Sequence, residues 1–203
     1  MPNSTIAELF QQLLTENFEK DDAPSLIYDK TVITFKELDA ITKIWSSKIK
    51  STVSELKEMK NAESKNKING PGTDQPVIGV FIPPSNLRIQ AILSIFRTYG
   101  IYLPLDDTLP PQRIKNMLNQ TACQVVLYHS NQYRKILEEA TENLEHPIHL
   151  LDVTTFCKKI NETITEVYEQ PNKDPILAVL YTSGSTGEPK GVPIKHSNMI
   201  NRL

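Results

Sequence analysis

From Val77 onward the chain alternates short apolar runs with longer amphipathic segments. This alternation constrains the fold more than any other feature of the sequence. Residues Val77–Ile82, Ile101–Leu105, Gln124–Tyr128, His149–Asp152 and Ile176–Tyr181 form brief, largely apolar runs bounded by turn chemistry, as buried strands do. Between them, Asn86–Tyr99, Pro111–Asn119 and Gln132–Glu142 read as helices. In the first, Ile89, Ile92, Leu93 and Phe96 are expected to face inward, with Gly100 as the C-terminal cap. The second carries proline in its first turn, where the missing N–H costs nothing. Strands alternating with helices predict an α/β fold: a mainly parallel sheet flanked by helices, with right-handed crossovers. Such sheets take ligands beyond the carboxyl ends of their strands.

The segment before Val77 is organised differently. Thr5-Ile-Ala-Glu8 and Thr34-Phe-Lys-Glu37 are capping boxes, each opening a helix. Ile6, Leu9, Phe10, Leu13 and Leu14 mark the apolar face of the first helix. Leu38, Ile41 and Trp45 mark that of the second, with Trp45 as a core anchor. Ser25–Tyr28 and Thr31–Phe35 read as two short strands joined at Asp29-Lys30. Lys57–Gln75 mixes charges and ends in Asn69-Gly-Pro-Gly72, which predicts an exposed loop.

Bulk properties narrow the class. A chain of 203 residues, 39% hydrophobic and 23% charged, reads as one soluble globular domain. A net charge of −2 implies no nucleic-acid surface. No apolar run approaches the ~20 residues that span a bilayer, and Met-Pro-Asn-Ser-Thr has no secretory pattern, so no membrane partner is expected and the cytoplasm is the default location. Cys123 and Cys157 are too few for a disulfide framework or a metal cluster, and no metal ligands are assigned.

Chemistry concentrates in Tyr181-Thr-Ser-Gly-Ser-Thr-Gly-Glu-Pro-Lys-Gly191. Three of the seven glycines fall here, with four hydroxyl side chains and one lysine. Glycine lets backbone approach a ligand, and exposed N–H groups form a concave anion site. Thr182, Ser183, Gly184, Ser185, Thr186, Gly187 and Lys190 are therefore the parts of a polyphosphate cradle, delivered by the strand at Ile176–Tyr181. The spacing is not that of a Walker loop: Pro189 stands where its second glycine belongs, and Gly191 follows the lysine in place of Ser or Thr. A plain Ser/Gly linker would need neither the lysine nor the buried strand. Ordering Ser183–Gly187 costs roughly 5–10 kcal/mol, which three or four hydrogen bonds to phosphate oxygens, at about 1.5–3 kcal/mol each, roughly offset. A loop mobile without nucleotide and ordered with it is expected. Asp106 and Asp107 read as turn caps, and the stretch at His196 as hydrogen-bonding at a helix start. Arg113 reads either as a surface charge or as half of an ion pair.

The stretch Leu177–Val192 resembles the phosphate-binding signature of the adenylate-forming superfamily, which contains acyl-CoA synthetases, luciferases and the adenylation domains of non-ribosomal peptide synthetases. Ile33-Thr-Phe-Lys-Glu-Leu38 resembles an early motif of the amino-acid-activating branch. Gly100-Ile-Tyr-Leu-Pro-Leu-Asp106 followed by Pro110-Pro-Gln-Arg-Ile114 resembles another, and the three stand in the family's order. There are departures: Arg97-Thr98-Tyr99 stands where the family usually has Lys-Ala-Gly, and Ile101 where alanine is common.

The resemblance implies the N-terminal portion of an adenylate-forming enzyme's large domain across residues 1–203. It also implies a two-step reaction: ATP and a carboxylate or amino acid give an acyl-adenylate and pyrophosphate, and the acyl group then passes to a phosphopantetheine thiol on a carrier domain. Lys190 is the implied catalytic residue, offsetting charge on the β- and γ-phosphates with Mg²⁺ bridging their oxygens. In the family, the carboxylate pocket, the ribose-binding aspartate and the lysine of the C-terminal domain follow the phosphate loop, and this chain stops twelve residues past Gly191. A partial enzyme, inactive without its C-terminal part, is therefore expected. The alternatives are a piece of an acyl-CoA synthetase or a non-catalytic nucleotide- or partner-binding product.

Overall fold

The computed structural model describes residues 5–17, 23–63, 74–156, 175–182 and 189–200, without the side chains of 59–63. Helix α1 (Ile6–Asn17) and hairpin β1 (Pro24–Tyr28)–β2 (Thr31–Thr34) precede the long helix α2 (Phe35–Glu63). The order then becomes β3 (Val77–Phe81), α3 (Asn86–Arg97), β4 (Ile101–Pro104), α4 (Pro111–Thr121), β5 (Val125–Tyr128), α5 (Asn131–Thr141) and β6 (His149–Asp152). Strands β7 (Ile176–Thr182) and β8 (Lys190–Lys195) and the short α6 (His196–Ile200) complete it. The main sheet runs β6-β5-β3-β4-β7-β8; its first five strands are parallel and β8 is antiparallel. The α/β sheet read from the sequence is present, flanked by helices.

Two apolar layers enclose it. On one face, α4 and α5 bury Ile114, Leu118 and Leu137 against Phe81, Leu103 and Val126. On the other, α2 and α3 bury Trp45, Ile49, Ala91 and Ile95 against Ile78 and Val80. Trp45 is the expected core anchor, meeting the Phe156 ring edge-on at 5.3 Å. Both capping boxes form. The Thr5 N–H donates to Glu8 Oε2 at 2.7 Å and the Thr34 N–H to Glu37 Oε2 at 2.9 Å, while each threonine hydroxyl accepts in return.

The structure corrects three local readings. Residues 57–63 belong to α2 instead of a loop, because buried Ile49, Val53 and Leu56 continue the stripe begun at Trp45 and the Lys, Glu and Met residues that follow favour helix. Residues 64–73 lie outside the described ones, but Gln75, placed at the end of the expected exposed loop, is buried. Its amide nitrogen donates to the carbonyls of Tyr99 (2.7 Å) and Ile176 (3.0 Å), and its oxygen accepts the Ile176 N–H at 2.8 Å. It stitches β7 to the start of β4, where the register holds one direct pair, Tyr102 opposite Ala178.

In α3, Phe96 is buried and Ile92 and Leu93 pack against the core as expected, but Ile89 is 41% exposed, and Ala91 and Ile95 are buried as well because α2 covers that side. The helix closes at Tyr99, whose φ of 50° is left-handed, and not at Gly100. Gly100 instead provides space: a Cβ there would come within 2.7 Å of Ile78 Cδ1. Tyr99 therefore holds a glycine-type conformation where the resembling family has glycine. It lies buried in a cluster with Ala7 of α1, beside the His196 ring. Arg97, the other departure, is buried too. It ion-pairs with Asp39 of α2, which also holds Lys43, and lies 5.5 Å from the centre of the Phe10 ring.

Candidate functional site

Strand β7 enters the sheet buried and leaves it exposed. Ile176–Val179 are buried, whereas Leu180 and Thr182 are exposed. Because β8 returns antiparallel, Tyr181 lies opposite Gly191 and Thr182 opposite Lys190. Directly opposed residues point to the same face, so the Thr182 hydroxyl and the Lys190 ammonium share one side at the mouth of the hairpin. Both are exposed. The mouth lies at the carboxyl end of a parallel strand, where this architecture takes ligands. Ser183, Gly184, Ser185, Thr186 and Gly187 lie outside the described residues, as does Cys157.

Gly191 has a packing role. A Cβ there would meet Val179 Cγ1 at 3.0 Å and the Tyr181 ring at 3.2 Å, so its absence lets that ring lie across β8. The Tyr181 hydroxyl donates to Gln120 Oε1 of α4 at 2.9 Å, and burial raises its pKa. The hairpin is thus pinned to α4 on the face opposite Thr182 and Lys190.

The remaining candidates separate clearly. Asp106 forms the expected turn cap, accepting the Thr108 N–H at 2.9 Å and its hydroxyl at 2.7 Å, which lowers the carboxyl pKa. Asp107 accepts the Tyr133 hydroxyl. At the start of α6 the Lys195 N–H donates to Asn198 Oδ1, and His196 Nδ1 accepts the Ile6 N–H at 3.0 Å, so this stretch hydrogen-bonds as expected. Buried Cys123 has its thiol pKa pushed up to about 12 by burial, which suits a packing role. Arg113 has no ion-pair partner among the described residues. It lines a cleft with Asn116, Met117, Gln120, Tyr181 and Pro189, which the sequence did not disclose because its walls come from distant segments.

Residues 69–203 match the AMP-binding enzyme family. The chain belongs to that family, one of adenylate-forming enzymes. Its relatives include Zwittermicin A synthase ZmaJ of Bacillus cereus, 28% identical over 99% of this chain and 33% of that protein. Tyrocidine synthase 3 of Brevibacillus parabrevis is 27% identical over 98% of this chain and 3% of the relative. The chain therefore spans one third or less of these proteins. The fold is similar to that of the non-ribosomal peptide synthetase FmoA3 in its α-methyl-L-serine-AMP-bound form, with TM-score 0.71 and 20% identity over 100% of this chain and 19% of that one. It is also similar to the Klebsiella oxytoca NpsA N-terminal subdomain in complex with 3-hydroxyanthranilyl-AMSN, with TM-score 0.66 and 19% identity over 95% and 40% of the two chains.

Proposed function

We propose that this chain carries the triphosphate-binding part of an enzyme that activates an amino acid as its adenylate, releases pyrophosphate and hands the acyl group to a phosphopantetheine thiol on a carrier domain. The observation that carries this reading is the pairing of Thr182 with Lys190 on one exposed face at the carboxyl end of β7. A hydroxyl and an ammonium side by side suit phosphate oxygens: the first donates a directed hydrogen bond, the second a mobile full charge. Among the described residues no three His, Cys, Asp or Glu side chains gather as a metal site. Mg²⁺ brought with ATP would lower the charge on the phosphates, with phosphate oxygens among its ligands. Lys190 acts on the β- and γ-phosphates as they leave, and Ser183, Gly184, Ser185, Thr186 and Gly187 supply donors around them.

The amino-acid branch is favoured over an acyl-CoA synthetase by the segment Gly100–Asp106 and by the synthetase relatives. The relatives are longer proteins of which this chain covers a third or less, and we read this chain as one part of such an enzyme, inactive alone. ATP–pyrophosphate exchange tests both points. The purified chain is expected to show none with any amino acid, and exchange by it would overturn the inactive reading. When the chain is followed by the rest of an adenylation domain, exchange is expected with an amino acid; a preference for fatty acids would replace the amino-acid reading.

A further inference from the structure

The cleft between α4 and the β7–β8 hairpin has an unusual chemistry. Arg113, Asn116, Met117 and Gln120 are spaced at i, i+3, i+4 and i+7, so they share one face of α4. Tyr181 and Pro189 close the opposite side. The acceptors of this face are already engaged. Asn116 Oδ1 accepts the Gln112 amide N–H at 3.0 Å, and Gln120 Oε1 accepts the Tyr181 hydroxyl at 2.9 Å. The donors this face offers are two side-chain amide NH₂ groups and the Arg113 guanidinium. Among the described residues that line the cleft, none carries a carboxylate.

Arg113 also stands where a cation is disfavoured. It is the third residue of α4, whose first turn holds no acidic side chain and whose N-cap, Pro110, offers no side-chain hydrogen bond. A positive charge there opposes the helix dipole. Its Nε is buried without a hydrogen-bond partner, an unmet donor that costs free energy. The cleft, about 70 Å³, holds roughly five waters at ~10–15 Å³ each. A tetrahedral oxyanion, with five heavy atoms, matches that size.

We propose that this cleft is an oxyanion site for a phosphate group, with Arg113 as its charge and Asn116 and Gln120 as supporting donors. It is distinct from the Thr182–Lys190 pair, which faces the other side of the hairpin. Because Pro189 forms one wall, occupancy of the cleft bears on the end of the phosphate loop. The donor set stands on its own geometry. The nucleotide reading supplies only the source of the anion, free phosphate or one end of the released pyrophosphate.

The test is titration of the purified chain with inorganic phosphate and with pyrophosphate, free of nucleotide and at constant ionic strength, read by calorimetry and thermal unfolding. Saturable binding is expected, raising Tm by about 3–6 °C at ten times Kd. Arg113→Gln should weaken phosphate binding at least about tenfold, and Lys48→Ala, which removes an exposed charge on α2, should leave it in place. Gln120→Glu, at an exposed position, puts a negative charge in the same cleft and should weaken binding likewise, so the test survives if Arg113→Gln does not fold. Tighter binding of pyrophosphate than of phosphate assigns the site to the leaving group, and equal binding to free phosphate; either upholds it. Absence of saturable binding, or unchanged affinity in both cleft variants, overturns the proposal. Loss in Lys190→Ala with retention in Arg113→Gln would place the anion on the hairpin, overturning the cleft site while leaving the nucleotide reading intact.

Discussion

Strands β3 and β8 belong to the same sheet, yet all five residues of β3 are buried and five of the six in β8 are exposed. Val-Ile-Gly-Val-Phe is apolar on both faces because helices cover both, as in parallel sheets generally. Lys-Gly-Val-Pro-Ile-Lys contains two residues that weaken a strand, and its place at the sheet edge explains how they are accepted: the proline there removes no ladder bond that an inner strand would need. The inner strand therefore holds the fold, and the outer hairpin is free to carry charge and hydroxyls. Changes in the two regions should have separable consequences.

The largest expected effect lies at the centre. Phe81→Ala removes a ring that is 1% exposed and meets Tyr133 edge-on at 5.3 Å; a loss of about 3–5 kcal/mol in unfolding free energy is expected by denaturant titration. A loss below about 1 kcal/mol would show that the inner strands do not dominate stability. Next comes the seam between the two regions. Gln75→Leu leaves the Ile176 N–H and C=O and the Tyr99 carbonyl without their side-chain partner, at about 1–3 kcal/mol for each group that water cannot reach. Amide exchange at Ile176 should quicken in that variant, and unchanged exchange would mean that β7 does not depend on the stitch.

A weaker signature appears with pH. Burial raises the pKa of the Cys123 thiol from 9.0 to about 12, and burial also raises those of Tyr99, Tyr102 and Tyr181. Such groups favour the folded state fully below their unfolded pKa, and that contribution fades as pH rises through the folded value. Stability should fall between about pH 9 and 12, and at pH 8 the native Cys123 should resist alkylation that follows readily on unfolding. Rapid native alkylation of the Cys123 peptide would contradict its burial.

Sequence periodicity made much of this structure legible. The capping boxes at Thr5 and Thr34, the five parallel strands and the Trp45 anchor depend on local pattern, and they form as read. What escaped depends on partners distant in the chain. Lys57 and Glu58 look solvated, and are exposed, yet buried Val53 and Leu56 carry the helix past them. Gln75 is polar in a polar stretch, and only the gap between β4 and β7 explains its burial. Strand β8 gives no strand pattern because Gly191 and Pro193 break it, so the antiparallel turn that sets Lys190 opposite Thr182 could not be read from spacing. Of the candidate site, residue types were legible throughout. Geometry is available for Thr182 and Lys190, while 183–188 lie outside the described residues.

The central claim is that the hairpin mouth binds the polyphosphate of ATP. Lys190 is exposed, so Lys190→Ala should leave the denaturation midpoint unchanged. The direct measurement is calorimetric titration of ATP with Mg²⁺ into the purified chain and into this variant. Saturable binding by the native chain, weakened at least about tenfold in Lys190→Ala, is the predicted result. Equal affinity in the two proteins, or no binding by the native chain, would contradict it.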